Sequence, residues 1–199
     1  MQTRRRRRLT PLRFCAAFLT ELALLGIGMS MAECALADPS PADESLLKSA
    51  FVYNFIKLTD WPAEVWSKTD RIKVCLAGPN NELAKAVTEL AHKPPVDGKS
   101  LEVRPVTMPS EVAACQVLVV TFRDHVGTEW IRAVKGAPVL TIGDSDGFAA
   151  AGGLIGFYRD AINVRFEASL ETARRSNLKP SSQLLKLARL VADAPGAKP

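Results

Sequence analysis

Asp144-Ser145-Asp146-Gly147 sets two carboxylates one residue apart ahead of a glycine, the opening of a loop that can wrap a hard cation such as calcium. The glutamate that would close such a loop is missing at the required position, so a plain turn after a strand is the better reading. Gly152, Gly153 and Gly156 come next. Glycines so placed can cradle a phosphate where a strand gives way to a helix, but no such switch follows, and they fit a tight turn and close backbone approach within a hairpin. His92 and His125 are the only histidines, and neither lies near a second histidine, a cysteine or a paired carboxylate at metal-ligand spacing. There is no Gly-x-Ser-x-Gly elbow, and the serines, histidines and aspartates stand in no recognisable catalytic order. The expectation is therefore a protein that is not an enzyme, with no catalytic residues, no metal and no cofactor.

Residues suited to recognition are more prominent. Tyr53, Phe55, Trp61 and Trp66 concentrate aromatic surface around one N-terminal segment. Most such residues build core, yet tryptophan and tyrosine also suit a surface that must be apolar and hydrogen-bonding at once, so Tyr53 and Trp61 are candidate binding residues. Arg165 alternates with Val164 and Phe166 in a strand-like run and should face away from both. It is either a solvated edge residue or a group that pairs an anion or carboxylate, and Glu167 shares its face and could neutralise it.

What positions these residues depends on which part of the chain is retained. Arg4 to Arg8, an apolar stretch from Phe14 to Met31 and the small residues Ala35-Leu36-Ala37 make a secretory signal peptide over residues 1–37, with cleavage expected after Ala37. The full chain of 199 residues carries a formal charge of +5, but the leading segment holds Arg13 as well as the arginine run and only two acids, leaving 20 basic against 19 acidic residues in 38–199. The basic balance therefore belongs to the targeting segment and gives no support to nucleic-acid binding. Beyond that segment no stretch is apolar for long enough to cross a bilayer. Export also removes Cys15 and Cys34, leaving Cys75 and Cys115 either as two buried thiols at the starts of neighbouring strands or as a disulfide, which an oxidising compartment favours.

Residues 38–199 suit a single α/β domain. Asp38 to Asp43 reads as a mobile lead-in. Leu47, Phe51, Phe55 and Leu58 then mark one helical face, ended by Trp61-Pro62. Strands are expected near 71–77, 101–106, 115–121 and 137–142, separated by helical patterns over about 81–91, with Asn80 or Asn81 as cap, and over 125–135. That alternation predicts a mainly parallel central sheet of about five to six strands with helices on both faces. After Gly143, runs at 153–158 and 162–167 around Arg159-Asp160-Ala161 predict a β-hairpin. A short turn at Leu170 and Ala173 and a last amphipathic helix through Leu184, Leu185, Ala188, Leu190 and Val191, capped by Ser181 or Ser182, complete the domain, with a frayed tail from Asp193.

Several of these blocks together resemble the YfiR family. They are the aromatic helix ending in Trp-Pro (Phe51 to Pro62), the Leu-Thr-Ile-Gly-Asp strand end and Phe148-x-x-x-Gly152-Gly153 hairpin entry, Arg165-Phe166-Glu167, and Ser181-Ser182-x-Leu-Leu-x-Leu-Ala188. The likeness covers roughly residues 46–191. It implies a periplasmic, non-enzymatic repressor that binds the sensory domain of an inner-membrane diguanylate cyclase, so controlling cyclic-di-GMP signalling, and that an outer-membrane lipoprotein can sequester. It also implies a homodimer and a Cys75–Cys115 bond joining the first strand to a later buried one. A second, local cysteine pair found in some members around the hairpin has no counterpart in this chain. Because the family also sits beside sensor kinases, a kinase receptor is implied as an alternative. The principal rival reading is a small-molecule-binding module feeding a sensor kinase or transporter, with its solute in the crevice at the carboxyl ends of the parallel strands.

Overall fold

The computed structural model describes residues 40–79 and 81–192. The signal segment, the lead-in residues Asp38 and Pro39, Asn80 as a possible cap and the tail from Asp193 lie outside the described residues. The domain falls within the compact unit Asp38–Pro199.

Strands β2 (Ile72–Ala77), β3 (Leu101–Val106), β4 (Val117–Val120), β5 (Leu140–Gly143), β6 (Ile155–Asp160), β7 (Asn163–Ser169) and β9 (Arg189–Val191) form one seven-stranded sheet in the order β3-β2-β4-β5-β6-β7-β9. The first five in that order are mutually parallel, β7 runs antiparallel to β6, and β9 runs parallel to β7. Side chains alternate between two cores as a pleated sheet requires. Ile72, Val74 and Leu76, with Val117, Val119, Leu140, Ile142, Ile155 and Phe157, face a core covered by α1 (Pro41–Lys57) and α3 (Glu82–Thr88). Cys75, Ala77, Leu118 and Val120 face the other, covered by α4 (Thr128–Ala133) and a short 3-10 turn at Pro109–Ala114. The expected architecture is present, with one strand more than the upper expectation.

The differences are local. Helix α1 begins at Pro41 rather than Glu44, because Ser40 accepts from the Asp43 backbone N–H while the Asp43 carboxylate takes the Ser40 N–H, a capping box that orders part of the lead-in. Its buried side also differs from the leucine-phenylalanine face. Glu44, Ser45, Lys48, Ser49, Val52, Phe55 and Ile56 point inward, whereas Leu46 and Leu47 are exposed. Thr59–Asp60 is a short strand, β1, paired antiparallel with β8 (Lys179–Pro180), so the chain leaves α1 as a two-stranded ribbon before the short helix α2 (Ala63–Trp66). The hairpin turns at Ala161-Ile162, with Ala161 at φ 53 and Asp160 paired to Asn163. After α5 (Leu170–Arg175), the last amphipathic helix stops early. The structure has α6 (Ser182–Leu187), capped by Ser181, and then β9, because Ala188 turns to extended backbone and Leu190 lies beside Ala168 in the ladder.

Phe148, fully buried, explains two of the glycines. A Cβ on Gly143 would fall 2.1 Å from the Phe148 ring and one on Gly153 would fall 2.2 Å from it, so both strand ends are bare where the ring lies. Gly143→Ala is expected to destabilise by about 3 kcal/mol through overpacking. A melting temperature unchanged from wild type would show that the ring has room to move.

Candidate functional site

The most unusual chemistry in the domain is a cluster of charges at the carboxyl ends of β4 and β5, on the side covered by α1. Strand β5 delivers Asp144, one residue past Gly143, and the chain leaving β4 delivers Arg123. The N-terminal half of α1 supplies Glu44 and Lys48, one helical turn apart and therefore on one face. Arg159 comes from β6, on the same face as Phe157, two residues before it. Glu44 is 3 % and Lys48 4 % exposed, and the Asp144 side chain is wholly buried.

The pairing is dense. Lys48 Nζ donates to Glu44 Oε1 at 2.6 Å and also to Asp144 Oδ1. Arg123 grips the same two acids, Nη2 to Glu44 Oε1 at 2.6 Å and Nε to Asp144 Oδ2 at 2.9 Å, while Arg159 Nη1 reaches Glu44 Oε2 at 3.3 Å. Three cations thus serve two carboxylates, and all four carboxylate oxygens are engaged. Burial pushes the Glu44 carboxyl up, but the Lys48 hydrogen bond and the charges of Lys48, Arg123 and Arg159 outweigh it and hold the group below its ordinary 4.5. A depressed carboxyl contributes stability that is present above 4.5 and is lost as pH falls through the lower folded value. Glu44→Gln is therefore expected to flatten the fall of unfolding free energy with pH below 4.5, read from denaturant titrations across that range. An unchanged slope would show that Glu44 titrates alike in the folded and unfolded chain.

Such a cluster ties α1 to the sheet and presents arginine outward. Arg123 and Arg159 are each about half exposed, 51 % and 52 %, while the acids beneath them are not. Every acid oxygen is already taken and the Lys48 ammonium sits between two carboxylates, so the arrangement offers structural anchoring and recognition rather than a free base or nucleophile.

The residues singled out from sequence fall elsewhere and apart. Tyr53, half-buried on α1, donates its hydroxyl to the Pro94 carbonyl at 3.0 Å and has Lys57 5.6 Å from its ring centroid. Trp61 is buried and stacked on Trp66 with ring centroids 5.2 Å apart, and its indole N–H has no acceptor. Arg165 is exposed, opposite Tyr158 in the ladder. Glu167 is buried and pairs with Arg189 at 2.6 Å rather than with Arg165, because the parallel register sets Arg189 directly beside it. The Arg189 guanidinium also lies 3.8 Å from the Tyr158 ring centroid. Cys75 and Cys115 are joined, bridging β2 to the chain two residues before β4. His125 Nδ1 accepts from the Gly127 N–H at 3.2 Å, and no cluster of three metal-ligating side chains occurs among the described residues.

Of the five members of the charge cluster, only Asp144 was singled out from sequence, and there as the opening of a cation loop rather than as an ion-pair partner. A helix face carrying Glu44 and Lys48 reads as a solvated one, and Lys48 and Asp144 are 96 residues apart. The only local signal was an i,i+4 Glu-Lys pair beside two leucines.

Relatives point the same way as the fold. A sequence profile of the YfiR/HmsC-like family matches residues 45–189. No curated protein matches the chain. Among solved structures, a conserved domain protein from Vibrio cholerae O1 biovar eltor is similar at a TM-score of 0.52 and 14 % identity, over 79 % of this chain and 62 % of that one. The chain thus spans under two thirds of that solved protein, and the likeness concerns fold alone. With the profile covering most of the domain, from the second turn of α1 to the start of β9, the chain belongs to the YfiR/HmsC-like family.

Proposed function

We propose that the chain is a periplasmic regulatory protein, exported with residues 1–37 removed, that binds and represses the sensory domain of an inner-membrane diguanylate cyclase and so controls cyclic-di-GMP signalling. Family membership supports the regulatory and periplasmic part of this reading. The observation that carries the protein-binding part is the charge cluster at the carboxyl ends of β4 and β5, whose acids are buried while Arg123 and Arg159 are half exposed. Strand order reverses between β2 and β4, where a doubly wound sheet would open a crevice for a solute. Here Gly78 lies so close to Thr121 that a Cβ would come within 2.7 Å of its hydroxyl, and the Asn81 side chain donates to the Thr121 carbonyl at 2.8 Å. Next to these contacts the charge cluster occupies the ends of β4 and β5. What remains for recognition there is an outer surface, which suits a protein better than a small substrate.

In this reading the repressor holds its receptor off only by binding one receptor state more tightly than the other. Homodimerisation, sequestration by an outer-membrane lipoprotein and a sensor kinase as receptor are further parts of the proposal. The decisive experiment is capture of periplasmic sensory domains of membrane diguanylate cyclases and kinases from the same genome by the purified exported protein, oxidised and reduced. Specific capture supports repression, and its loss on reduction would give the Cys75–Cys115 bond a regulatory role. Failure in both redox states removes the repressor reading in favour of solute binding. One observation favours that second reading, a cleft of about 360 Å³ bordered by Asp60, Trp61, Glu64, Asn177 and Lys179, beside a buried indole N–H that lacks an acceptor.

A further inference from the structure

The surface above the charge cluster is built in a way that specifies what should meet it. Glu44 and Asp144 are buried and fully engaged, so the charges that reach solvent are those of Arg123 and Arg159. Both guanidiniums are tied to the one Glu44 carboxylate, which fixes their separation and leaves their remaining N–H donors pointing outward. Asp160 follows Arg159 in β6, and strand alternation turns it to the opposite face of the sheet. Apolar surface flanks the pair. Leu47 is exposed on α1, and Ile162 is exposed at the hairpin tip. Leu47 lies one turn before Phe51, whose ring meets Phe166 on β7, and the next residue of β7 on that face toward the tip is Val164. Leu47, Val164 and Ile162 therefore form a strip alongside Arg159.

We propose that this face, Arg123 and Arg159 with Leu47 and Ile162, is the surface on which the chain engages its protein partner, and that the partner presents carboxylates to the two arginines and apolar side chains to the strip. The inference rests on the protein-binding reading above and gives it a location and a chemistry. A pre-fixed pair of guanidiniums recognises carboxylates with little further ordering, and an apolar border excludes water from the contact. A free small anion would have no use for the apolar strip. A second copy of this chain, docked about a two-fold axis, would bring arginine against arginine.

The test has two arms, each on the exported protein purified with its disulfide intact. In the first, the ¹⁵N-labelled protein is titrated with hexaglutamate, with hexalysine and inorganic phosphate as comparisons. Hexaglutamate is expected to shift the amide signals of residues 44–48, 122–124 and 157–162, phosphate to shift them far less, and Arg159→Gln to weaken the hexaglutamate effect by about threefold, since it removes one outward charge and only one contact to Glu44. Asp124→Asn, which removes the acid beside Arg123, is expected to strengthen it. In the second arm, Leu47→Glu is expected to weaken any receptor domain captured by wild type by about tenfold at unchanged melting temperature.

No shift at these residues, or shifts of equal size with Arg159→Gln, would overturn the proposal. So would a receptor domain that binds Leu47→Glu and Arg159→Gln as tightly as wild type, a result that leaves the repressor reading standing. Dissociation of a wild-type dimer by Leu47→Glu would overturn it as well, by assigning the face to a second copy. Hexaglutamate binding at this face with no receptor captured would uphold the recognition surface while removing the diguanylate cyclase as partner.

Discussion

Replacing Cys75 and Cys115 together by alanine is expected to lower the stability of the domain by about 4 kcal/mol, and reduction of the wild type to do the same. The bond closes a chain segment of 40 residues that includes α3, β3 and the 3-10 turns Glu89–His92 and Pro109–Ala114. In the unfolded chain that closure removes conformational freedom, and the loop-entropy relation gives about 4 kcal/mol for a loop of this length. For a domain of this size that corresponds to a fall in melting temperature on the order of 10 °C. Both cysteines sit in the core beneath α4 and the Pro109–Ala114 turn, next to Leu118 and Val120, so alanine leaves no buried hydroxyl to confuse the result. The sheet should still form, because β2 and β4 are paired along four residues regardless of the bond. Thermal melts of the oxidised, reduced and double-alanine proteins decide the matter. If all three melt within two degrees of one another, the bond does not constrain the unfolded state. If the reduced protein melts far lower than the double-alanine variant, buried thiols rather than lost closure are responsible.

The parallel sheet was legible because its strands are short apolar runs between helical patterns and turn residues. The run from Cys115 to Thr121 is apolar and too short for a helix, and its middle, Val117 to Val120, is the buried strand β4. The hairpin was legible for similarly local reasons, whereas the cysteine pair, 40 residues apart, followed from export and from the family resemblance. Two features were not legible. Leu190 and Val191 continue the periodicity of α6, and only their pairing with Ala168 and Ser169 makes them strand β9, a contact that no local pattern records. On α1, Leu46 and Leu47 imitate a core face while Glu44 and Lys48 imitate a wet one. The inversion is possible because Arg159 from β6, with Arg123 and Asp144 from the chain leaving β4 and β5, supplies the partners that burial of Glu44 and Lys48 demands. The sites read from residue type fared according to the same logic. Glu167 was placed on the right face but given the wrong partner, since strand alternation fixes direction and says nothing of the neighbouring strand. An exposed apolar face and a buried polar one on the same helix are thus two consequences of one long-range cluster.

Lys48→Met tests that cluster most directly and is expected to cost about 3 to 5 kcal/mol, the range for removing one partner from a buried ion pair. Methionine keeps all but the terminal atom of the lysine side chain, so the loss reflects chiefly charge rather than a cavity. The vacated ammonium leaves Glu44 Oε1 and Asp144 Oδ1 facing each other with only the half-exposed Arg123 to serve both acids and Arg159 to serve one. The double variant Glu44→Gln/Lys48→Met should recover part of the loss, because it also removes one of the stranded charges, and a recovery of 1 kcal/mol or more relative to additive behaviour would be the mark of coupling. Acid should narrow the gap between wild type and Lys48→Met. Glu44 is held below 4.5 in the folded wild type, so lowering the pH removes the wild-type advantage, while protonation relieves the repulsion between the two acids in the variant. A loss under 1 kcal/mol at neutral pH, or a gap that widens in acid, would mean that the arginines suffice and that Lys48 is a passenger. The expected outcome would instead make Lys48 the group that holds α1 on the sheet, and through Glu44 the group that fixes where Arg123 and Arg159 stand.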